Sequence, residues 1–164
     1  MFNGDYIIET SNLCKSYGPH MALENLNLKV KHGSTGLLGP NGAGKSTFLK
    51  TILGLIQASS GTGHVLGHDI RTEGTAIRSR IGYMPEYEAL NPDMEAIYQV
   101  KYSGELLGMN PIVAMSRAHE VLHYVGLGEQ RYRNIGSFST GMKQATKLAC
   151  SIIHDPELII ADEP

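Results

Sequence analysis

Apolar positions along the chain follow two periods, and the change falls at Lys45. Before it, short apolar or alternating runs at Tyr6–Ile8, Leu26–Val30 and Leu37–Leu38 are punctuated by glycine, which predicts strands joined by tight turns. After it, Phe48, Leu49, Ile52, Leu53 and Ile56 recur at helical spacing directly behind a glycine-rich segment. "SSGTGHVLGHDI" reads as turn, short strand and turn, and "IGYMP" as a strand stopped by Pro85. Between Asp93 and Val125 the strand signals give way to helices, one on Ala96, Ile97 and Val100 and one on Ala114, Ala118, Val121, Leu122 and Val125, with "GMNP" between them. A last helix carries Ala145, Leu148, Ala149, Ile152 and Ile153 on one face, stops before "HDP", and hands over to "LIIA", an apolar run that predicts a buried strand.

Composition narrows this picture by exclusion. A chain of 164 residues is long enough for one domain with a core. Its net charge of -2 supplies no long-range positive field, so nucleic acid is not an expected partner. Cys14 and Cys150 make neither a disulfide framework nor a zinc set, and the opening "MFNGDYIIET" lacks the basic and apolar regions of a secretory signal, so a reducing cytosol is the expected compartment. No apolar run reaches the roughly 18 residues of a membrane-spanning helix, so any membrane role is expected to run through a partner.

The glycine-rich segment is "GPNGAGKST": Gly39, Pro40, Asn41, Gly42, Ala43, Gly44, Lys45, Ser46 and Thr47. It matches G-x-x-x-x-G-K-[ST] between an expected strand and an expected helix, the context in which that pattern binds nucleotide phosphates. Glycines let the backbone wrap the phosphates so that amide hydrogens and a helix N-terminus face the negative charge. Lys45 is placed to reach the β- and γ-phosphates of a nucleotide, and the Ser46 hydroxyl suits a magnesium ion; the loop alone fits a kinase, a GTPase, a helicase or a transport ATPase. The bland alternative is a chance glycine-rich turn, which the flanking pattern disfavours.

Four further stretches resemble the ATP-binding subunits of ATP-binding-cassette (ABC) transporters, from about Tyr6 to the last residue. "SFSTGMKQA" is similar to the family signature L-S-G-G-Q, and the resemblance implies that Ser139, Thr140 and Gly141 act on the ATP held by an opposite subunit. The competing reading of Ser139 is an ordinary helix N-cap. In "LIIADEP" the resemblance gives Asp162 the magnesium position and Glu163 that of the base that polarises the attacking water. Adjacent side chains leave a strand in opposite directions, so this pair is expected where the strand ends and the chain turns. "CKSYG" puts Tyr17 where the family stacks an aromatic ring on adenine. "IGYMPE" corresponds to a loop that usually ends in glutamine, and Glu86 replaces it here. A carboxylate keeps the capacity to face magnesium and loses the amide donor to water.

The implied fold is α/β, a P-loop NTPase of the ABC type with a mixed sheet core, an N-terminal antiparallel part and an inserted helical subdomain. The expected boundaries are a nucleotide-binding core at about 1–86 and 144–164 and the helical insertion at about 87–143. The resemblance implies ATP and Mg2+ as cofactors, a second ABC ATPase subunit and a polytopic membrane permease as partners, and a place on the cytoplasmic face of the membrane. Two other readings are a soluble cassette clamp used in DNA repair or translation, and a regulatory cassette without turnover. Related subunits continue past the carboxylate strand to an interface loop and a switch histidine, so the chain reads as truncated after that strand and is expected to be inactive and poorly stable by itself. His154 precedes the strand and is not that switch; a helix C-terminal histidine favoured by the dipole is the expected role. His64, His68, His119 and His123 show no metal-ligand spacing.

Overall fold

A computed structural model describes residues 5–87 and 90–162. They form two units, divided between Arg78 and Ser79.

The first unit is built on a twelve-residue hairpin, β1 (Tyr6–Tyr17) and β2 (His20–Lys31), turned at Gly18 and Pro19. β3 (Ser60–Val65) and β4 (His68–Asp69) complete an antiparallel sheet of order β2-β1-β3-β4. The pairing register shifts between Thr10 and Leu13, around Asn12. There the Thr10 hydroxyl donates to the Leu26 carbonyl at 3.1 Å and accepts the Leu28 N–H at 3.0 Å, replacing ladder bonds that the bulge removes. Helix α1 (Lys45–Ile52) buries Phe48, Thr51 and Ile52. It is shorter than the expected apolar face, which extended to Ile56. Gly54 turns left-handed at φ 64, and the Gly54 and Leu55 N–H groups close back on the Thr51 and Lys50 carbonyls. This C-terminal motif stops the helix whatever follows in apolar periodicity. A short α2 (Gly74–Ser79), which the sequence pattern did not suggest, runs across the boundary at Arg78 by one residue.

The expected strand at Leu37–Leu38 is not formed. Residues 34–40 carry no regular structure, and Leu38 is 93% exposed. Two leucines between Gly36 and Gly39-Pro40 are too few to hold a ladder against flanking residues that favour turns.

The second unit contains β5 (Ile81–Met84), α3 (Ala96–Leu106), α4 (Pro111–Tyr124), two 3-10 turns, α5 (Thr140–Ile152) and β6 (Leu158–Ala161). β5 and β6 pair in parallel, from Ile81 beside Leu158 to Met84 beside Ala161, and the helices supply the crossover that a parallel pair requires. At the start of the pair Arg80 donates to the Glu157 carboxylate at 2.6 Å. Asn110 caps α4, its side chain accepting the Ile112 N–H at 3.0 Å, with Pro111 in the first turn. The core joins α3, α4 and α5 through Ala96, Ile97, Val100, Ala118, Leu122, Ala149 and Ile153.

Two expectations change here. β6 is not buried on both faces: Ile160 is covered and Ile159 is exposed. α5 is covered more widely than its apolar face foretold, because Thr146, Lys147 and Ser151 are buried along with Ala149. The helix packs against the other helices and also against β5, where a Cβ on Gly82 would meet the Ser151 carbonyl oxygen at 2.2 Å. No helix of the described residues is long and apolar enough to cross a membrane.

Candidate nucleotide site and signature

The phosphate loop leads directly into α1. Gly44 adopts φ 84 at the N-cap and offers no side chain to the first turn, so no cap occupies the early N–H groups of the helix. Phe48 N–H donates back to the Gly44 carbonyl at 2.8 Å as the helix begins. An uncapped helix N-terminus presents several aligned donors and the positive end of the dipole to an anion. Lys45 Nζ donates to the carbonyls of Gly39 at 2.7 Å and Pro40 at 3.0 Å, while the Ala43 N–H reaches the Pro40 carbonyl at 3.2 Å. The loop thus curls around its own lysine, and a phosphate competes with two neutral carbonyls for that ammonium with a full negative charge. Ser46, Asn41 and Gly42 are exposed, and Thr47 is half-buried at the helix start. In the same unit the Tyr17 ring is exposed at the hairpin end, with Lys15 Nζ 5.0 Å from its centre.

In the second unit the carboxylates lie at the C-terminal ends of the parallel strands, where ligands meet open α/β sheets. Asp162 follows β6, its N–H donating to the Met84 carbonyl at 2.9 Å, and the residue is only 9% exposed. Glu86 follows β5 and is exposed. Both charges bear on Tyr83: burial, then Asp162, then Glu86 push its phenol above the ordinary tyrosine range. Asp162 and Glu86 are therefore electrostatic neighbours of one ring. Glu163, the expected base, lies outside the described residues.

The signature residues open α5. Ser139 is its N-cap, and its Oγ accepts the Met142 N–H at 3.3 Å. The ordinary capping role is thus real, and it is compatible with a ligand. Accepting occupies a lone pair, which leaves the hydroxyl hydrogen to donate. Thr140 and Gly141 are exposed, and a Cβ on Gly141 would meet nothing within 4 Å.

His154 does not fill the expected dipole role. It lies past the end of α5, with Nε2 3.2 Å from the Ile81 carbonyl, and burial lowers its pKa, so the fold favours the neutral ring. His68 pairs with Glu73 at 2.9 Å, and among the described residues no group of three or more His, Cys, Asp or Glu could hold a metal.

Magnesium fits the donors present. The Ser46 hydroxyl in the first unit and, separately, the Asp162 and Glu86 carboxylates in the second are hard oxygen donors, and magnesium binds through one or two carboxylates together with substrate phosphates, so neither unit needs a complete protein cage.

Sequence reading missed Tyr83 and the buried Lys147. The available signal for the second was a lone lysine directly ahead of the apolar run Leu148, Ala149 and Cys150.

A family profile described as ABC transporter matches residues 23–164. The chain is 39% identical over 159 residues to the linearmycin resistance ATP-binding protein LnrL of Bacillus subtilis, covering 96% of this chain and 51% of that protein. It is 35% identical over 159 residues to the Nod factor export ATP-binding protein I of Cupriavidus metallidurans, covering 96% of this chain and 52% of that one. A solved ATP-binding subunit of an ABC transporter superimposes with a TM-score of 0.81 at 28% identity, covering 96% of this chain and 66% of the other. The chain spans about half the length of the curated relatives it matches.

Proposed function

The chain belongs to the ABC transporter family of ATP-binding domains, and on that premise we propose that it binds and hydrolyses ATP to power transport through a separate membrane protein. The observation that carries this reading is the Lys45 loop, an uncapped helix N-terminus whose lysine donates to its own loop's carbonyls at Gly39 and Pro40. The resistance and export names of its relatives favour this reading over a soluble repair or translation clamp.

In this reading Gly39 to Thr47 bind the phosphates, Lys45 neutralises charge on the β- and γ-phosphates, and Tyr17 stacks on the base. Ser46, Asp162 and Glu86 hold magnesium, which when bound offsets phosphate charge. Glu163 orients and deprotonates the attacking water as general base. Ser139, Thr140 and Gly141 face the ATP of a second subunit, where the free serine hydroxyl and the α5 N-terminus meet the γ-phosphate. The nucleotide core at about 1–86 and 144–164 carries the phosphate, base, magnesium and general-base groups, and the insertion at about 87–143 ends on the signature residues and meets the permease on the cytoplasmic side of the membrane.

Calorimetric titration of the natural gene product with ATP and magnesium tests the assignment. Lys45→Ala is expected to weaken binding by at least about tenfold, because a charge-assisted bond is worth roughly 1.5–3 kcal/mol. The melting temperature should hold, since Lys45 supports no core packing. Unchanged affinity in a folded variant would remove the phosphate-loop assignment.

A further inference from the structure

Lys147 stands out among the buried groups that the proposed chemistry does not use. It sits midway along α5 and is 5% exposed, and its Nζ donates at 3.3 Å to the backbone carbonyl of Glu86. A buried lysine head is costly unless it is paired, so a residue that only filled space here would be apolar. One turn further along the same face, the Ser151 carbonyl is packed directly on Gly82. α5 is thus fastened to β5 at Gly82 and to the segment after β5 at Glu86. The same helix begins at Ser139, eight residues before Lys147, which spans roughly 12 Å of helix axis.

We propose that Lys147 is a positioning residue for Glu86: it ties the loop that carries this carboxylate to the helix that begins with the signature, so that the placement of Glu86 follows the position of α5 within one subunit. The inference rests on the ATPase reading above. Tyr83, on β5 beside the tied loop, agrees with this placement: burial, then Asp162, then Glu86 raise the pKa of its phenol, so both carboxylates lie within electrostatic reach of one ring. The tie is made to the main chain. It therefore fixes where residue 86 stands, and leaves its side chain to face the metal.

The test is a double-mutant cycle in the natural gene product, reading kcat and KM for ATP and the magnesium dependence of the rate. Lys147→Met, which keeps length and removes the donor, is expected to lower kcat about tenfold, the scale of a modest misplacement of a catalytic group, with KM for ATP within about twofold and a several-fold higher magnesium requirement. In a Glu86→Ala background, where no carboxylate remains to be placed, the same substitution is expected to change kcat less than about twofold. Lys147→Arg keeps a donor and is expected to retain most of the turnover. Equal losses from Lys147→Met in both backgrounds, or no loss in either, overturn the proposal. If Lys147→Met melts early, Lys147→Arg decides: turnover near wild type with an unshifted magnesium requirement supports the tie, and a loss that persists in the Glu86→Ala background overturns it. A wild-type protein that neither binds nor hydrolyses ATP overturns the ATPase reading and this inference with it, whereas normal wild-type turnover untouched by Lys147→Met overturns the inference alone.

Discussion

The Ala22 carbonyl oxygen lies 2.4 Å from where a Cβ on Gly44 would stand, so β2 closes one side of the phosphate loop against its last glycine. Gly44 also has φ 84, a conformation that side chains resist. Gly44→Ala is therefore expected to destabilise the first unit by at least about 2 kcal/mol, from backbone strain and overpacking together. Chemical denaturation of the two proteins provides the check. A loss under about 0.5 kcal/mol would mean that the loop has room which this geometry denies it.

Glu86→Gln separates binding from turnover. Carboxylate and amide both present an oxygen to magnesium, while only the amide donates a hydrogen bond to water. Nucleotide affinity is expected to stay within a few fold, and steady-state hydrolysis to change by more. Equilibrium binding measured beside turnover decides it, and a collapse of binding with normal hydrolysis contradicts the assigned role.

Gly141→Asp probes the signature with little structural penalty. Nothing lies within 4 Å of a Cβ there, and an acidic side chain in the first turn of α5 suits the helix dipole. Folding and first ATP binding are expected to persist, while ATP-driven pairing is lost through charge repulsion against the partner's phosphate. Light-scattering mass measurement of a Glu163→Gln form with ATP should show monomer for the variant and dimer for its parent. An ATP-dependent dimer of the variant removes the cross-subunit role.

His154 sets a pH dependence. Burial holds its folded pKa below the ordinary 6.5, and its buried Nδ1 has no hydrogen-bond partner among the described residues to receive a second proton's bond. The unfolded chain takes up that proton first, so the contribution is complete above about pH 6.5 and is lost as pH falls through the folded value. Between pH 7.5 and 5.5 the wild-type melting temperature is expected to drop further than that of His154→Gln. Parallel slopes would exclude His154 as the cause.

The sequence by itself determined what is written within a few residues. "GPNGAGKST" announced a loop that ends in a helix, and "GMNP" marked the break between α3 and α4, because capping and turn chemistry act locally. The order of phosphate loop, "SFSTG" and "LIIAD" identified the family before any coordinates, and the expected end-of-strand position of Asp162 is found just past Ala161. Tertiary structure decided whatever depends on a second surface. Leu37 and Leu38 had the composition of a strand and no ladder formed on them, since a strand exists only with a partner. Lys147 is buried only because α5 lies on β5, where the Glu86 carbonyl receives its ammonium. Ile159 and Ile160 are neighbours of equal hydrophobicity, and only packing made one buried and the other exposed. Periodicity reports which face is apolar, whereas burial depends on what the rest of the chain brings against that face, and a sequence pattern confined to one element carries no record of it.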